Sequence, residues 1–257
     1  MTAISVDGVT KRFGSRRVLD GVSFAVEPGA RLGVIGPAAG GKSVLLKILA
    51  GLVAPDAGRA LVRGAIGMLF QNSALFDFLN VFDNVAFPLV HGMPPRGGAG
   101  PRPQAEPSEP REARMRGPGV APRAAAGIDT GNIDQRVRER LRAVGLAGAE
   151  HKLPSELSGG MRKRVGLARA TVAEPDVVLY DEPTAGLDPV TTSKIYELLR
   201  GQPSTAIVVS SDVEAVAQFA DTIAYLDEGR IQWLGPAHAL FHADDPRVRR
   251  FATGEAA

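Results

Sequence analysis

The chain has no cysteine among its 257 residues. This absence excludes a disulfide framework, thiolate metal ligands and a cysteine nucleophile, and it is compatible with a reducing compartment. Long apolar runs are missing as well, since none approaches the roughly 18 to 20 residues that a membrane-spanning helix needs. Residues 1–7 also lack the basic start and the apolar stretch of a signal peptide. We therefore expect the chain to stay in the cytosol.

An excess of either charge is absent too. The chain has 30 Lys and Arg residues against 28 Asp and Glu residues, which gives a net charge of +2. Such a balance provides no broad positive field, so we expect no nucleic acid as a partner. The apolar share of 44% is sufficient for a core of substantial size, and the length suits one large α/β domain with a subdomain.

A phosphate-binding pattern is the first positive signal. Residues 36–43 read GPAAGGKS and fit G-x-x-x-x-G-K-[ST] at every fixed position. The run 31–35 predicts a buried strand, and the run 44–49 has the spacing of an amphipathic helix. A glycine turn between them directs backbone N–H groups and the positive end of the helix dipole at one spot. The pattern predicts phosphate binding by Gly36, Pro37, Ala38, Ala39, Gly40, Gly41, Lys42, Ser43 and Val44.

Metal and catalytic groups are expected beside this loop. Lys42 is expected to reach the β- and γ-phosphates of ATP, and the Ser43 hydroxyl to complete a Mg²⁺ shell. The apolar run 176–180 is followed by Asp181 and Glu182. Because ligands collect at the carboxyl ends of parallel strands, both acids should lie near the loop. Asp181 then fits as the Mg²⁺-organising carboxylate, and Glu182 as the group that orients and deprotonates the attacking water.

A third motif, LSGGM at 157–161, precedes a basic run that extends to residue 170. It predicts another helix start with small residues and a serine, and hence a second anion site. Together the three motifs resemble the ATP-binding-cassette (ABC) ATPases, in which this signature motif of one subunit closes over the nucleotide of the other. The resemblance implies a homodimer with two bound ATP molecules and nucleotide contacts from Ser158, Gly159 and Gly160.

The resemblance implies three further site residues. Phe13 matches the aromatic residue that stacks on adenine, although a lone Phe more often packs in a core. Gln71 matches the glutamine that senses Mg²⁺ and water, and Asp188 matches the aspartate that communicates across the dimer. The implied fold is a phosphate-loop α/β core of ABC type with an N-terminal antiparallel β subdomain and a helical subdomain that carries the signature.

The resemblance and the composition also predict the domain organisation. We expect the nucleotide-binding domain at 3–235, with its helical subdomain at about 72–170, and a tail with a short helix at 236–257. The segment 92–127 holds eight of the 19 prolines, six arginines and no aromatic residue, which predicts a disordered insertion. A solvated spacer is its favoured role, and contact with anionic lipid headgroups is the alternative. The tail either caps its own subunit or docks on a neighbouring one.

Within the ABC family, a narrower likeness lies in the stretches 41–47, 70–76 with 80–89, 153–161 and 245–251. These stretches resemble the ATPase subunit of Mla-type (maintenance of lipid asymmetry) phospholipid transporters. The resemblance implies permease subunits in the membrane, a lipid-binding envelope component, and a place on the cytoplasmic face of the inner membrane. The first alternative is the ATPase subunit of another importer or exporter, and the second is a non-transport ABC protein acting on chromosomes or ribosomes.

Two apolar stretches, 74–76 and 81–82, follow Gln71 and are the expected seat for a helix of the permease. The alternative is that these side chains face the core of the helical subdomain. The sequence does not decide between the two.

Two residues depart from the family pattern. The family places a histidine that contacts the γ-phosphate at the position of Ser211, which precedes Asp212. Because a serine is shorter and cannot become cationic, we expect ATP binding to persist and hydrolysis to be slower. Ala39 stands where many ABC phosphate loops have glycine, and its β-carbon is expected to crowd the backbone unless Gly40 absorbs the strained conformation.

Overall fold

The computed structural model describes residues 1–92 and 130–254. The predicted insertion at 92–127 falls, after its first residue, outside the described residues, and so does the end of the tail at 255–257.

Nine strands and seven α-helices are found in the described ranges. The strands are β1 (Ile4–Phe13), β2 (Arg16–Val26), β3 (Arg31–Ile35), β4 (Ala57–Val62), β5 (Ile66–Leu69), β6 (Val177–Asp181), β7 (Thr205–Val209), β8 (Thr222–Asp227) and β9 (Arg230–Pro236). The helices are α1 (Lys42–Leu49), α2 (Val81–His91), α3 (Thr130–Ala143), α4 (Gly159–Thr171), α5 (Pro189–Arg200), α6 (Val213–Phe219) and α7 (Pro246–Thr253). Short 3₁₀ segments lie at Pro154–Glu156 and Ala237–His242.

A six-stranded sheet with the order β5-β6-β7-β3-β8-β9 forms the centre of the molecule. Neighbouring strands from β5 to β8 pair in parallel, and β9 pairs antiparallel to β8. Strands β6 and β7 are buried at every position, as expected for parallel strands that are covered on both faces. The parallel arrangement brings the ends of β3, β6 and β7 to one edge of the sheet, where the phosphate loop begins.

A three-stranded antiparallel sheet with the order β2-β1-β4 lies against this centre. Its buried residues, among them Ile4, Val22 and Val62, share a core with α1 and with one face of the central sheet. Side chains alternate along β6, so Leu179 enters this core while Tyr180 enters the core on the other face. The predicted α/β class with an N-terminal antiparallel subdomain is confirmed.

Helices α2, α3 and α4 pack on one another. Val137, Leu141 and Val144 of this subdomain are buried, and Ile133 packs against the same core, so the apolar face of α3 points inward. Val81 is fully buried in this core. Of the two alternatives for the stretch 81–82, the core therefore holds for Val81, and docking of a permease helix on this residue is wrong.

The chain end folds onto its own subunit. The Phe251 ring of α7 lies 5.1 Å from the Tyr225 ring, measured between centroids, and Val248 and Ala252 belong to the core on that face of the sheet. This packing supports the end-cap alternative. No helix within 1–92 and 130–254 is long and apolar enough to cross a membrane.

Candidate nucleotide-binding and catalytic site

The phosphate loop connects β3 to α1. At two of its glycines the surrounding backbone leaves no space for a side chain. Gly36 has a φ of 149°, and a β-carbon there would lie 2.0 Å from the Leu226 carbonyl oxygen. Gly41 has a φ of 99°, and a β-carbon there would lie 2.7 Å from the Val18 carbonyl oxygen. Within the described residues no side chain caps the start of α1, so its first N–H groups remain available to an anion.

Lys42 is folded back over this loop. Its side chain is buried, and Nζ donates hydrogen bonds to the carbonyl oxygens of Gly36 at 2.8 Å and Pro37 at 2.9 Å. Burial lowers the pKa of Lys42, while the carboxylates of Glu182 and Asp181 act in the opposite direction. An ammonium group has three N–H donors, so one donor remains for a phosphate oxygen above the loop.

Ser43 and Asp181 form the pair that sequence analysis placed at the metal. Ser43 Oγ donates to Asp181 Oδ1 at 2.9 Å, and Asp181 is 3% exposed. Burial raises the pKa of Asp181, and a neighbouring cation would offset that cost. The described residues hold no group of three or more metal-binding side chains. Mg²⁺ takes few protein oxygens and completes its shell with phosphates and water, so this pair fits Mg²⁺.

Glu182 lies in an unusual backbone conformation. Its φ is 48°, in the left-handed region that costs a non-glycine residue about 1–2 kcal/mol. The Glu182 amide donates to the Val209 carbonyl oxygen at 2.8 Å, which ties the residue to β7. Strain of this kind persists where the surroundings enforce it, often at functional sites.

The Glu182 carboxylate accepts hydrogen bonds from two serines. Ser210 Oγ lies 3.2 Å and Ser211 Oγ lies 3.4 Å from Oε2. Ser210, which is 1% exposed, also accepts a bond from the Asp212 amide at 3.1 Å. Sequence analysis considered Ser211 only against the γ-phosphate and missed Ser210. The signal available was the pair of hydroxyls directly after a buried strand.

A cavity of about 400 Å³ brings half of the predicted site residues together. It is lined by residues 38–44 together with Gln71 and Glu182, and by Arg16 and Val18. Gln71 is exposed, follows β5 and lines the same cavity. The cavity therefore has the phosphate loop, the Ser43 hydroxyl and the Glu182 carboxylate in its wall, and Asp181 lies directly behind Ser43.

Phe13 lies at the end of β1 and is 52% exposed, so the core alternative for this residue is wrong. It pairs in register with Arg16, whose Nη2 donates to the Ala39 carbonyl oxygen at 3.3 Å. The tip of the β1–β2 hairpin therefore contacts the phosphate loop. Arg16 was missed by sequence analysis, since an arginine after a tight turn carries no signal that it reaches residue 39.

The signature motif and Asp188 do not line this cavity. Ser158 is the N-cap of α4 and accepts a bond from the Met161 amide at 3.2 Å. Asp188 is the N-cap of α5 and accepts bonds from the Thr191 amide at 2.9 Å and the Thr191 hydroxyl at 2.6 Å. Hydrogen bonds to Thr191 lower the pKa of Asp188. Both residues therefore stabilise helix starts in their own subunit.

Ala39 carries the strained conformation of the loop itself. Its φ is 59°, whereas Gly40 has no positive φ. Of the two alternatives, the strain therefore falls on Ala39, and the Gly40 amide closes a turn onto the Pro37 carbonyl oxygen at 3.2 Å.

Replacement of Ala39 with glycine is expected to stabilise the fold by about 1 kcal/mol, because the left-handed penalty disappears. The measurement is the free energy of unfolding from denaturant titration. Ala38→Gly is the control: Ala38 has no positive φ, so the added chain freedom should destabilise the protein by about 0.4–1 kcal/mol. Equal changes in both variants would contradict the strain at Ala39.

Comparison with known proteins agrees with this geometry. The family model described as "ABC transporter" matches residues 19–185. The Arabidopsis thaliana protein TRIGALACTOSYLDIACYLGLYCEROL 3, chloroplastic, is 37% identical over 96% of this chain and 72% of its own length. The intermembrane phospholipid transport system ATP-binding protein MlaF of Escherichia coli K12 is 35% identical over 94% and 85%. The probable ribonucleotide transport ATP-binding protein mkl of Mycobacterium tuberculosis H37Rv is 34% identical over 98% and 67%.

Among solved structures, the dimeric ATP-binding cassette MJ0796 bound to ADP and Pi superposes with a TM-score of 0.73 at 25% identity. The match covers 91% of this chain and 98% of the solved one. The family model, the relatives and the similar solved structure all indicate the same family as the strand, phosphate loop and helix around the cavity. The chain belongs to the ABC transporter family and is an ATP-binding ATPase of that family.

Proposed function

We propose that the chain is the ATPase subunit of a transporter that moves phospholipids or related lipids, docked on a permease at the cytoplasmic face of the inner membrane. A lipid-binding envelope component completes the proposed assembly. The names of the Escherichia coli and Arabidopsis relatives support a lipid substrate. Docking on the permease is supported by an apolar groove that lies beside the Gln71 loop, the segment after β5 that contains Gln71.

Two subunits are proposed to close over two ATP molecules. Ser158, Gly159 and Gly160 lie outside the cavity of their own subunit. Among the described residues, no atom lies within 4 Å of a β-carbon built at Gly159, so the start of α4 is open to approach. The dimeric state of the similar solved cassette supports the pairing. Each ATP then contacts the phosphate loop of one subunit and the signature and Asp188 of the other.

Hydrolysis follows from the groups around the cavity. Lys42 and the loop N–H groups bind the β- and γ-phosphates, and Ser43 and Asp181 hold Mg²⁺. An Mg²⁺ ion held there would supply positive charge against the charge that develops on the phosphate oxygens. Glu182 accepts a proton from the attacking water, and Gln71, which lines the same cavity, orients that water. Phe13 packs on the adenine ring.

The apolar groove has a volume of about 590 Å³ and lies between α2, β5 and the segment after Gln71. Its walls include Leu52, Met68, Phe76 and Phe87. The Phe76 ring lies 4.6 Å from the Phe87 ring and 5.9 Å from that of Phe78, which is 80% exposed. An aromatic groove with an exposed phenylalanine at its rim suits an amphipathic helix of the permease.

Arg169 connects the groove to the Gln71 loop. Its buried guanidinium donates to the carbonyl oxygens of Ser73 at 2.6 Å and Ala74 at 2.9 Å. Ser73 and Ala74 both have positive φ, at 59° and 46°. The same guanidinium lies 5.6 Å from the centroid of the Phe76 ring. A helix seated on Phe76 therefore bears on the backbone next to Gln71, which supports coupling between docking and hydrolysis.

Phe78→Asp is expected to lower recovery of the permease about tenfold or more in co-purification, because a buried charge without a partner weakens an apolar contact by well over 1.4 kcal/mol. Phe78 is highly exposed, so the fold should be unchanged. The permease is taken from the gene neighbourhood and co-expressed. Leu234→Asp, which alters an exposed apolar residue of β9, is the control and should retain the permease.

The substrate class is tested on the purified complex in vesicles. Turnover stimulated by phospholipid, together with lipid transfer that depends on ATP, is the expected result. Stimulation by ribonucleotides alone would favour the transport named for the mycobacterial relative. Co-purification with ribosomes or DNA and with no membrane protein would contradict the proposed function.

A further inference from the structure

Lys163 in α4 contacts the backbone of Glu182. Its Nζ donates a hydrogen bond to the Glu182 carbonyl oxygen at 2.5 Å. The side chain is partly buried and follows the signature glycine Gly160 by three residues, which is about one helical turn. The bond therefore joins the helix that begins with the signature to the end of β6 in the same subunit.

The Glu182 peptide needs such a partner. With its φ of 48°, the residue departs from the extended path of β6 and turns its carbonyl oxygen towards α4. Val209 holds the amide, and Ser210 and Ser211 hold the carboxylate. The carbonyl oxygen accepts a long bond from the Ala185 amide at 3.4 Å and a shorter, charge-assisted bond from Lys163. Without Lys163 the carbonyl would keep only the long bond, in a partly desolvated place. The strained peptide would then relax more easily, which would displace the carboxylate.

Across the described ranges, the Lys163 ammonium interacts with the Glu182 carbonyl oxygen and not with a carboxylate. Lys163 forms no ion pair with a carboxylate in the described part of the chain, although Asp181 and Glu182 are close enough to raise its pKa. Burial is the larger effect and lowers that pKa. A partly buried ammonium that donates to a main-chain oxygen fixes geometry more than it neutralises an acid.

We propose that Lys163 is a positioning residue that links the signature helix to the candidate base Glu182 within one subunit. The proposal rests on the proposed roles of Glu182 and of the signature. Because the signature of one subunit contacts the ATP of the other, a shift of α4 on closure moves the Lys163 ammonium. ATP in one site thereby orients the glutamate of the other.

The test compares Lys163→Met with Lys163→Arg in the full-length protein. Methionine keeps the aliphatic stem without a donor, so kcat should fall about tenfold while the KM for ATP stays within about twofold. Arginine keeps a cationic donor and should retain at least about half of the turnover. Arg164→Met is the control, because Arg164 donates to the carbonyl oxygens of Val144 and Gly145 on the other side of α4.

A second measurement, hydrogen exchange, reports on the backbone around Glu182 directly. With a non-hydrolysable ATP analogue, hydrogen exchange should slow at 36–46 and at 180–185 in the wild type. In Lys163→Met, protection should persist at 36–46 and be lost at 180–185. Retained protection at both segments would overturn the proposal, because binding would then order Glu182 without Lys163.

Other results also overturn it: a kcat for Lys163→Met within twofold of wild type, equal losses in Lys163→Arg and Lys163→Met with an intact fold, or an equal loss in Arg164→Met. If Lys163→Met does not fold, Lys163→Leu, whose side chain also lacks a donor, gives the same contrast with arginine. A Glu182→Gln variant with normal turnover would instead refute the base role, whatever the Lys163 variants do.

Discussion

Replacement of Glu182 with glutamine is expected to lower ATP turnover by about 10²–10⁴-fold, the usual contribution of a positioned general base. Glutamine has nearly the same shape, can accept the bonds from Ser210 and Ser211, and leaves the backbone contact with Val209 in place. What it loses is the ability to take a proton from water. ATP binding should persist, because the phosphate loop and the Ser43–Asp181 pair are untouched.

The experiment measures single-turnover hydrolysis and equilibrium ATP binding on the same preparations. A stable ATP-bound dimer should accumulate on size-exclusion chromatography, because hydrolysis is what reopens the proposed dimer. Glu174→Gln is a matched control: Glu174 also has a left-handed φ, of 51°, and its side chain is exposed beside Arg136. Its turnover should equal that of wild type. More than about one tenth of wild-type turnover in Glu182→Gln would remove Glu182 from the role of base.

The parts of the site that are contiguous in the chain were predictable from the sequence. The phosphate loop follows a buried strand and opens a helix, and this local order decides where its N–H groups lie. Asp181 was predicted near Ser43 because the carboxyl ends of parallel strands meet at one edge of a sheet. The 2.9 Å bond between the two side chains is the direct result of that topology.

Contacts that neither a motif nor the order of parallel strands specifies were not predictable. Lys163 stands between two arginines in a basic run, and nothing in that run distinguishes the side chain that points at Glu182 from those that bond to Leu157, Val144 and Gly145. The direction follows from how α4 packs on α2 and α3, which is a tertiary property.

Two alternatives that the sequence left open are decided by the fold. The sequence could not decide which of two adjacent residues takes the left-handed conformation, and the loop places it on Ala39 although Gly40 would adopt it without strain. The sequence also left open whether Val81 faces a partner or the core, and Asn80 caps the helix at that point so that Val81 turns inward. A shift of one residue in a helix start changes which face each side chain occupies.

Ser211→His is expected to raise turnover by about ten- to a hundredfold, since one well-placed donor to a developing oxyanion is worth at least that much. The Ser211 hydroxyl lies 3.4 Å from Glu182 Oε2, at the long end of a hydrogen bond. An imidazole is longer than the serine hydroxyl and can become cationic, and the family resemblance implies that it contacts the γ-phosphate from this position. Ser210, at 3.2 Å, would still hold the glutamate, so the change adds a contact without removing the existing support.

Ser211→Ala separates the two roles of this position. If the serine makes no contact of its own in the reaction, alanine should leave turnover within about fivefold of wild type, because a long hydroxyl bond is worth at most about 1 kcal/mol. A loss comparable to that of Glu182→Gln would make the serine itself essential.

The pH dependence of turnover in Ser211→His tests whether the positive charge of the imidazole contributes. An imidazole near its ordinary pKa of about 6.5 gains its proton as pH falls. The ratio of Ser211→His to wild-type turnover should therefore rise from pH 8 to pH 6, and because every other ionisable group is common to both proteins, that ratio isolates the cation at position 211.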